Sequence, residues 1–154
     1  MLEQLEIACD QKIDTLIFPE MSDTGYDYLV MLDAAQTWDA GTIPALCEAA
    51  KKRKLNVMAG VSERTKDAVY NSIVVIDRAG EIVGKYRKTH LCTAEPFVEH
   101  QLFGSGSELL QLKIDDVKSG FLNCYEIRFP EIARTLAMGG STVIFVVSAF
   151  PMVL

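Results

Sequence analysis

The stretch Ser119-Gly120-Phe121-Leu122-Asn123-Cys124-Tyr125-Glu126-Ile127-Arg128-Phe129-Pro130-Glu131 passes from an apolar, strand-like run into a helix. Pro130 marks the opening of that helix, because a proline in the first turn gives up only an N–H that has no partner there. Helical spacing continues from Phe129 to Met138, and Thr142 to Val147 is β-prone again. Strand, helix and strand therefore follow one another, with a cysteine at the first junction. Upstream, Leu2, Leu5, Ile7 and Ala8 among acids predict an amphipathic helix, and Thr15 to Phe18 a short buried strand ended by Pro19. Ser22 to Asp27 reads as loop, Ile43 to Lys54 as a helix with a basic last turn, and Asn56 to Val61 as a strand. Tyr70 to Ile76 and Glu81 to Tyr86 flank Asp77-Arg78-Ala79-Gly80, a hairpin whose glycine supplies a positive φ. A polar loop from Lys88 to Ser107 leads to strands at Leu109–Ile114 and Ser119–Cys124. The pattern predicts an α/β protein with a mixed sheet and flanking helices.

At 154 residues the chain reads as one domain, residues 1–154, long enough to bury a core. The hydrophobic share of 49% with 23% charge excludes a disordered chain, and a net charge of −6 argues against nucleic acid as a partner. Cys9, Cys47, Cys92 and Cys124 are widely spaced, with no Cys-x-x-Cys pair and no histidine at zinc-ligand spacing. Neither a metal knuckle nor a disulfide scaffold is indicated, and no basic leader or run long enough to span a bilayer is visible. A cytoplasmic setting and no membrane partner are expected. The first predicted helix has no strand before it, and the last strand runs into the apolar segment Phe150 to Leu154. An incomplete domain with an exposed apolar patch is expected, since termini are usually polar.

Three residues carry chemistry at the ends of strand-like runs: Glu20 after Pro19, Lys88 in Lys85-Tyr86-Arg87-Lys88-Thr89-His90-Leu91, and Cys124. Each also has an ordinary reading. Cys124 could be a packed thiol, Glu20 a loop acid capping an amide, and Lys88 a solvated lysine. The helix opening after Cys124 favours the functional reading, because a helix N-terminus stabilises thiolate and lowers the cysteine pKa. Other features are weaker. Lys51-Lys52-Arg53-Lys54 ends a helix where the dipole favours cations, and Gly104-Ser105-Gly106-Ser107 lacks the lysine of a phosphate-binding loop. Gly60-Val61-Ser62-Glu63-Arg64 is not a serine nucleophile elbow, and His90 and His100 lack metal partners by spacing.

Phe18-Pro19-Glu20 with Thr24-Gly25-Tyr26, Tyr86-Arg87-Lys88-Thr89-His90-Leu91 and Cys124-Tyr125-Glu126-Ile127-Arg128-Phe129-Pro130-Glu131 together resemble the nitrilase superfamily of carbon-nitrogen hydrolases. Gly60 to Arg64, Tyr70-Asn71-Ser72 and Val146 to Pro151 extend the match. The resemblance implies a partial α-β-β-α sandwich lacking a first strand and a C-terminal part. It implies a Glu20, Lys88 and Cys124 triad: Glu20 as general base, Cys124 as nucleophile, Lys88 and the Tyr125 N–H as oxyanion donors. A second glutamate supporting the lysine is assigned to Glu99, with Glu95 as the other choice. No metal or organic cofactor is implied, and a homo-oligomer is expected. The activity implied is hydrolysis of a small amide, of ω-amide or N-carbamoyl type, through a cysteine thioester that releases ammonia. A silent fragment, a nitrilase and an acyl transferase are the alternatives. Glu126 stands where the amidase branch usually has aspartate, one methylene shorter.

Overall fold

The computed structural model describes residues 1–94 and 97–150. Two sheets pack face to face, each with helices on its outer side. The first has four strands in chain order: β1 (Thr15–Phe18), β2 (Asn56–Arg64), β3 (Val69–Ile76) and β4 (Ile82–Arg87). β1 runs parallel to β2, with Phe18 opposite Ala59, and the remaining pairs are antiparallel. The second sheet has three strands: β5 (Gln111–Ile114) antiparallel to β6 (Val117–Asn123), and β6 parallel to β7 (Val143–Val147). The expected mixed α/β class is thus realised as two mixed sheets.

Strand alternation decides what each face buries. Val57, Ala59 and Val61 of β2, with Val74 and Ile76 of β3, point outward against α1 (Leu2–Asp10) and α3 (Thr42–Arg53), meeting Leu5, Ala8, Ile43, Leu46 and Ala50. Met58, Ile73, Val75 and Tyr86 point inward against Ile114, Phe121 and Val147 of the facing sheet. α5 (Pro130–Met138), with Pro130 in its first turn, covers the far side through Leu122, Ile132 and Leu136. Burying an aliphatic or aromatic side chain of this size contributes about 1.5–3 kcal/mol, so the inter-sheet layer is the main cohesion between the sheets.

Several boundaries differ from the sequence reading. β2 continues through Ser62 and Glu63, which look like a strand end in sequence but are both buried in the fold. Glu63 accepts hydrogen bonds from Trp38 Nε1 at 2.6 Å and Ser72 Oγ at 2.8 Å and is paired with Arg87. A helix, α2 (Tyr28–Ala34), follows what reads as loop, and Asp27 caps it by accepting from Leu29 N and Val30 N. That capping aspartate before an apolar run was a legible signal. A short helix, α4 (Glu99–Leu102), also interrupts the polar loop.

Gly80 has φ of +80° in the β3–β4 hairpin, as expected, and any side chain there would strike the Cys47 carbonyl. β7 ends the second sheet among the described residues, and Val143, Val146 and Phe150 are each more than a third exposed. No described helix is long and apolar enough to cross a membrane.

Candidate active site

The inner faces of both sheets change character toward one end of the sandwich. Two residues along each strand, apolar positions give way to polar ones: Ile73 to Asn71, Phe121 to Asn123, and Tyr86 to Lys88 just past β4. The period of two puts each polar residue on the same face as its apolar neighbour. Glu20 arrives at this end from β1. Gly60 makes room for it: a Cβ at Gly60 would lie 2.4 Å from the Glu20 Cα and 2.7 Å from the Pro19 carbonyl. Gly60 is therefore a site residue to which the sequence motif by itself assigns no role.

Lys88 is fully buried, and its ammonium lies 2.8 Å from Glu20 Oε1 and 2.8 Å from Glu99 Oε2. The three residues brought together from Phe18-Pro19-Glu20, the β4 exit and α4 form one cluster. Asn71 completes it by donating to Glu20 Oε1 at 2.7 Å and to Glu99 Oε1 at 2.8 Å. Its own oxygen lies 2.8 Å from the Asn123 amide nitrogen. Glu99 also accepts from the Tyr26 hydroxyl at 2.7 Å and from the Cys92 N–H at 2.7 Å, and Glu20 Oε2 from the Ala149 N–H at 3.3 Å. Of the two glutamates named as lysine support, Glu99 sits in the cluster; Glu95 lies outside the described residues.

The electrostatics follow from this crowding. Burial pulls the Lys88 ammonium down, but Glu20 first and Glu99 second outweigh it and hold the lysine above its ordinary range. Burial works to raise Glu99, and Lys88 together with the Cys92 and Tyr26 hydrogen bonds overcomes it, leaving Glu99 below the usual carboxylate range. A carboxylate held low adds stability above its unfolded pKa and loses it as pH falls through its folded one. The acid-side decline in melting temperature is therefore expected to be shallower in Glu99→Gln than in the wild type, as followed by circular dichroism.

Cys124 corrects the sequence reading in two respects. The helix from Pro130 does not reach it: a separate 3-10 turn, Cys124–Arg128, intervenes. Its thiol is not lowered but pushed up to about 11, by burial first and by the neighbouring Glu20 charge second. A five-residue turn carries too little dipole to offset burial and the Glu20 charge, which both disfavour thiolate. At pH 7 a thiol near 11 is ionised to about one part in 10⁴. Ultraviolet difference titration of the protein against Cys124→Ala is expected to show this ionisation near 11, against about 8.5 for an unperturbed cysteine.

The backbone explains how Cys124 reaches the cluster at all. Leu122 faces α5 and Asn123 faces the inter-sheet layer, so a continued strand would turn residue 124 back toward α5. Instead Cys124 has φ of +50°, a left-handed conformation that costs a non-glycine residue about 1–3 kcal/mol. The thiol is thereby aimed at Glu20, and at 9% exposure it is more exposed than Glu20 or Lys88. The Tyr125 N–H belongs to the first turn of the 3-10 helix, where amides lack helical partners. Cys47, Cys92 and Cys124 are free thiols. Among the described residues, no group of three or more His, Cys, Asp or Glu is placed to hold a metal.

The carbon-nitrogen hydrolase family model matches residues 1–153. The chain is 37% identical over 148 residues to the 2-oxoglutaramate amidase of Bacillus subtilis, covering 90% of this chain and 53% of that protein. It is 35% identical over 144 residues to a nitrilase of Pyrococcus abyssi, covering 89% and 52%. A crystal structure of a carbon-nitrogen hydrolase from Helicobacter pylori superposes with a TM-score of 0.84 at 25% identity, covering 97% of this chain and 53% of the other. The chain spans about half the length of the curated relatives it matches. A match that runs from the first helix to the segment after β7, over a fold shared with a solved hydrolase, places this protein in the nitrilase superfamily of carbon-nitrogen hydrolases.

Proposed function

We propose that this protein hydrolyses a small non-peptide amide through a thioester on Cys124. The observation that carries the reading is the position of Glu20, which touches the Lys88 ammonium and lies beside a thiol that is protonated at rest. Such a thiol needs a base at the moment of attack. Glu20 takes its proton as Cys124 Sγ adds to the amide carbonyl carbon, and the oxyanion forms against Lys88 and the Tyr125 N–H. The protonated Glu20 then hands the proton to the departing nitrogen as the C–N bond breaks, leaving a thioester and ammonia. Deprotonated again, Glu20 activates a water that cleaves the thioester to the acid and restores the thiol. Glu99 keeps Lys88 charged and in place throughout.

The identity to a 2-oxoglutaramate amidase supports an ω-amide substrate over an N-carbamoyl one. The nitrilase relative supports nitriles as the second reading. The free thiols Cys47, Cys92 and Cys124 and the exposed apolar side chains of β7 fit a cytoplasmic homo-oligomer, which we include in the proposal.

The test is acid-quenched intact mass spectrometry with small ω-amides, N-carbamoyl amino acids and nitriles, alongside an ammonia assay. An acyl adduct on Cys124 with ammonia release is expected from amides, whereas a nitrile adds its whole mass. A transferred acyl group in place of free acid would indicate acyl transfer. Neither adduct nor ammonia with any of them would favour the silent-fragment reading.

A further inference from the structure

Lys88 and Cys124 leave different sheets, one from β4 and the other from β6. Strand pairing therefore does not set the distance between them. A single carboxylate does span that gap. Glu126, fully buried, accepts from the Thr89 N–H at 2.7 Å, the Thr89 hydroxyl at 2.6 Å and the His90 N–H at 3.1 Å through Oε1. Its Oε2 accepts from the Asn123 N–H at 2.8 Å, and the Tyr86 hydroxyl lies within 2.8 Å of both oxygens. The residue directly after Lys88 and the residue directly before Cys124 are thus tied to the same group.

We propose that Glu126 is a positioning residue, a strap across the two sheets that sets the spacing of Lys88 and Cys124 and holds the left-handed turn at the cysteine. The inference rests on the proposed catalytic role of Cys124. Among the described residues Glu126 has no ion-pair partner. A buried carboxylate satisfied by neutral donors alone contributes little net stability beside an apolar replacement, but its hydrogen bonds are short, directional and about twice as strong as neutral ones. Three of its donors are backbone N–H groups, so it fixes main chain and not only side chains. Glutamine cannot substitute, because its NH₂ would face either the Asn123 N–H or the Thr89 N–H. The turn also carries the strained φ at Cys124, which persists only where surrounding contacts over-determine it.

The test measures iodoacetamide labelling of each cysteine by mass spectrometry in wild type, Glu126→Gln, Glu126→Asp and Thr89→Val. Loss of positioning should slow Cys124 by about tenfold in Glu126→Gln, since a displacement on the scale of 1 Å at a reacting atom is enough for such losses. Cys47 and Cys92 should label at unchanged rates, and Glu126→Asp should recover part of the loss by restoring an acceptor for both arms. Thr89→Val removes one donor and no charge, and is expected to give the same pattern at a few-fold size, even if Glu126→Gln does not fold. Wild-type Cys124 labelling in a folded Glu126→Gln overturns the proposal. So does faster labelling of Cys47, Cys92 and Cys124 alike, the signature of a purely structural role. Failure of the catalytic reading looks different: wild-type labelling that ignores Glu20→Gln. The strap is then read from amide exchange, where Glu126→Gln should release the Thr89 and Asn123 N–H groups together, and separate behaviour would overturn it.

Discussion

Glu20→Gln is expected to slow alkylation of Cys124 by about 100-fold or more, the scale of a positioned general base. The direction is what makes this result informative, because Glu20 has two effects on the thiol that oppose each other. Its negative charge disfavours the thiolate and helps push the cysteine up to about 11. Were charge the whole story, removing it would lower the thiol pKa and make Cys124 react faster at pH 7. As a base, Glu20 instead accepts the proton while the sulfur bonds to carbon, and its loss removes the acceptor. Glutamine preserves the shape, its one oxygen can still accept from Lys88 and Asn71, Lys88 keeps Glu99 as its partner, and only the long 3.3 Å contact from the Ala149 N–H is given up, so the fold is retained. Labelling that accelerates in Glu20→Gln would leave Glu20 as a purely electrostatic neighbour and would remove the base from the proposed mechanism.

Lys88→Met is expected to destabilise the protein by about 3–5 kcal/mol at pH 8, because it leaves two buried carboxylates without their cation. Glu20 and Glu99 both lie within 2.8 Å of the Asn71 amide nitrogen, so methionine would leave two buried carboxylates facing each other. The pH dependence should also reverse. In the wild type Glu99 is held low, and its contribution is lost as pH falls. In the variant, burial and the mutual repulsion of two carboxylates favour uptake of one proton by the folded state, so stability returns on going from pH 8 to pH 5. Urea unfolding at the two pH values measures both effects. A loss below about 1 kcal/mol, or one that is the same at both pH values, would show that Lys88 is not the charge on which the cluster depends.

Local patterns in the sequence are enough for the strands that deliver Glu20, Lys88 and Cys124. Pro19 ends β1 just before Glu20, the alternation in β3 and β4 runs up to Lys88, and Pro130 marks α5. These signals are read within a few residues, where sterics and periodicity act. Glu63 defeated the same reading, because its burial depends on Trp38, Ser72 and Arg87 from three other segments. The motif Tyr70-Asn71-Ser72 gives Asn71 no role of its own. A polar residue in phase with Ile73 on an inward face was its available signal, but its partners Glu20 and Glu99 are 51 and 28 residues away.

The state of the thiol is where sequence and structure differ most, and the cause is physical. A helix N-terminus is visible in sequence, whereas burial and a carboxylate brought in from β1 are not, and those two effects outweigh it. By itself the sequence determined the class of fold, the family motifs and which side chains end their strands at Glu20, Lys88 and Cys124, since each rests on short-range geometry. Only the tertiary structure decided that Lys88 lies between two carboxylates, that Cys124 turns inward through a positive φ, and that Glu126 ties the two sheets together. Those features depend on contacts between residues dozens of positions apart, where packing of the two sheets and exclusion of water set the energies.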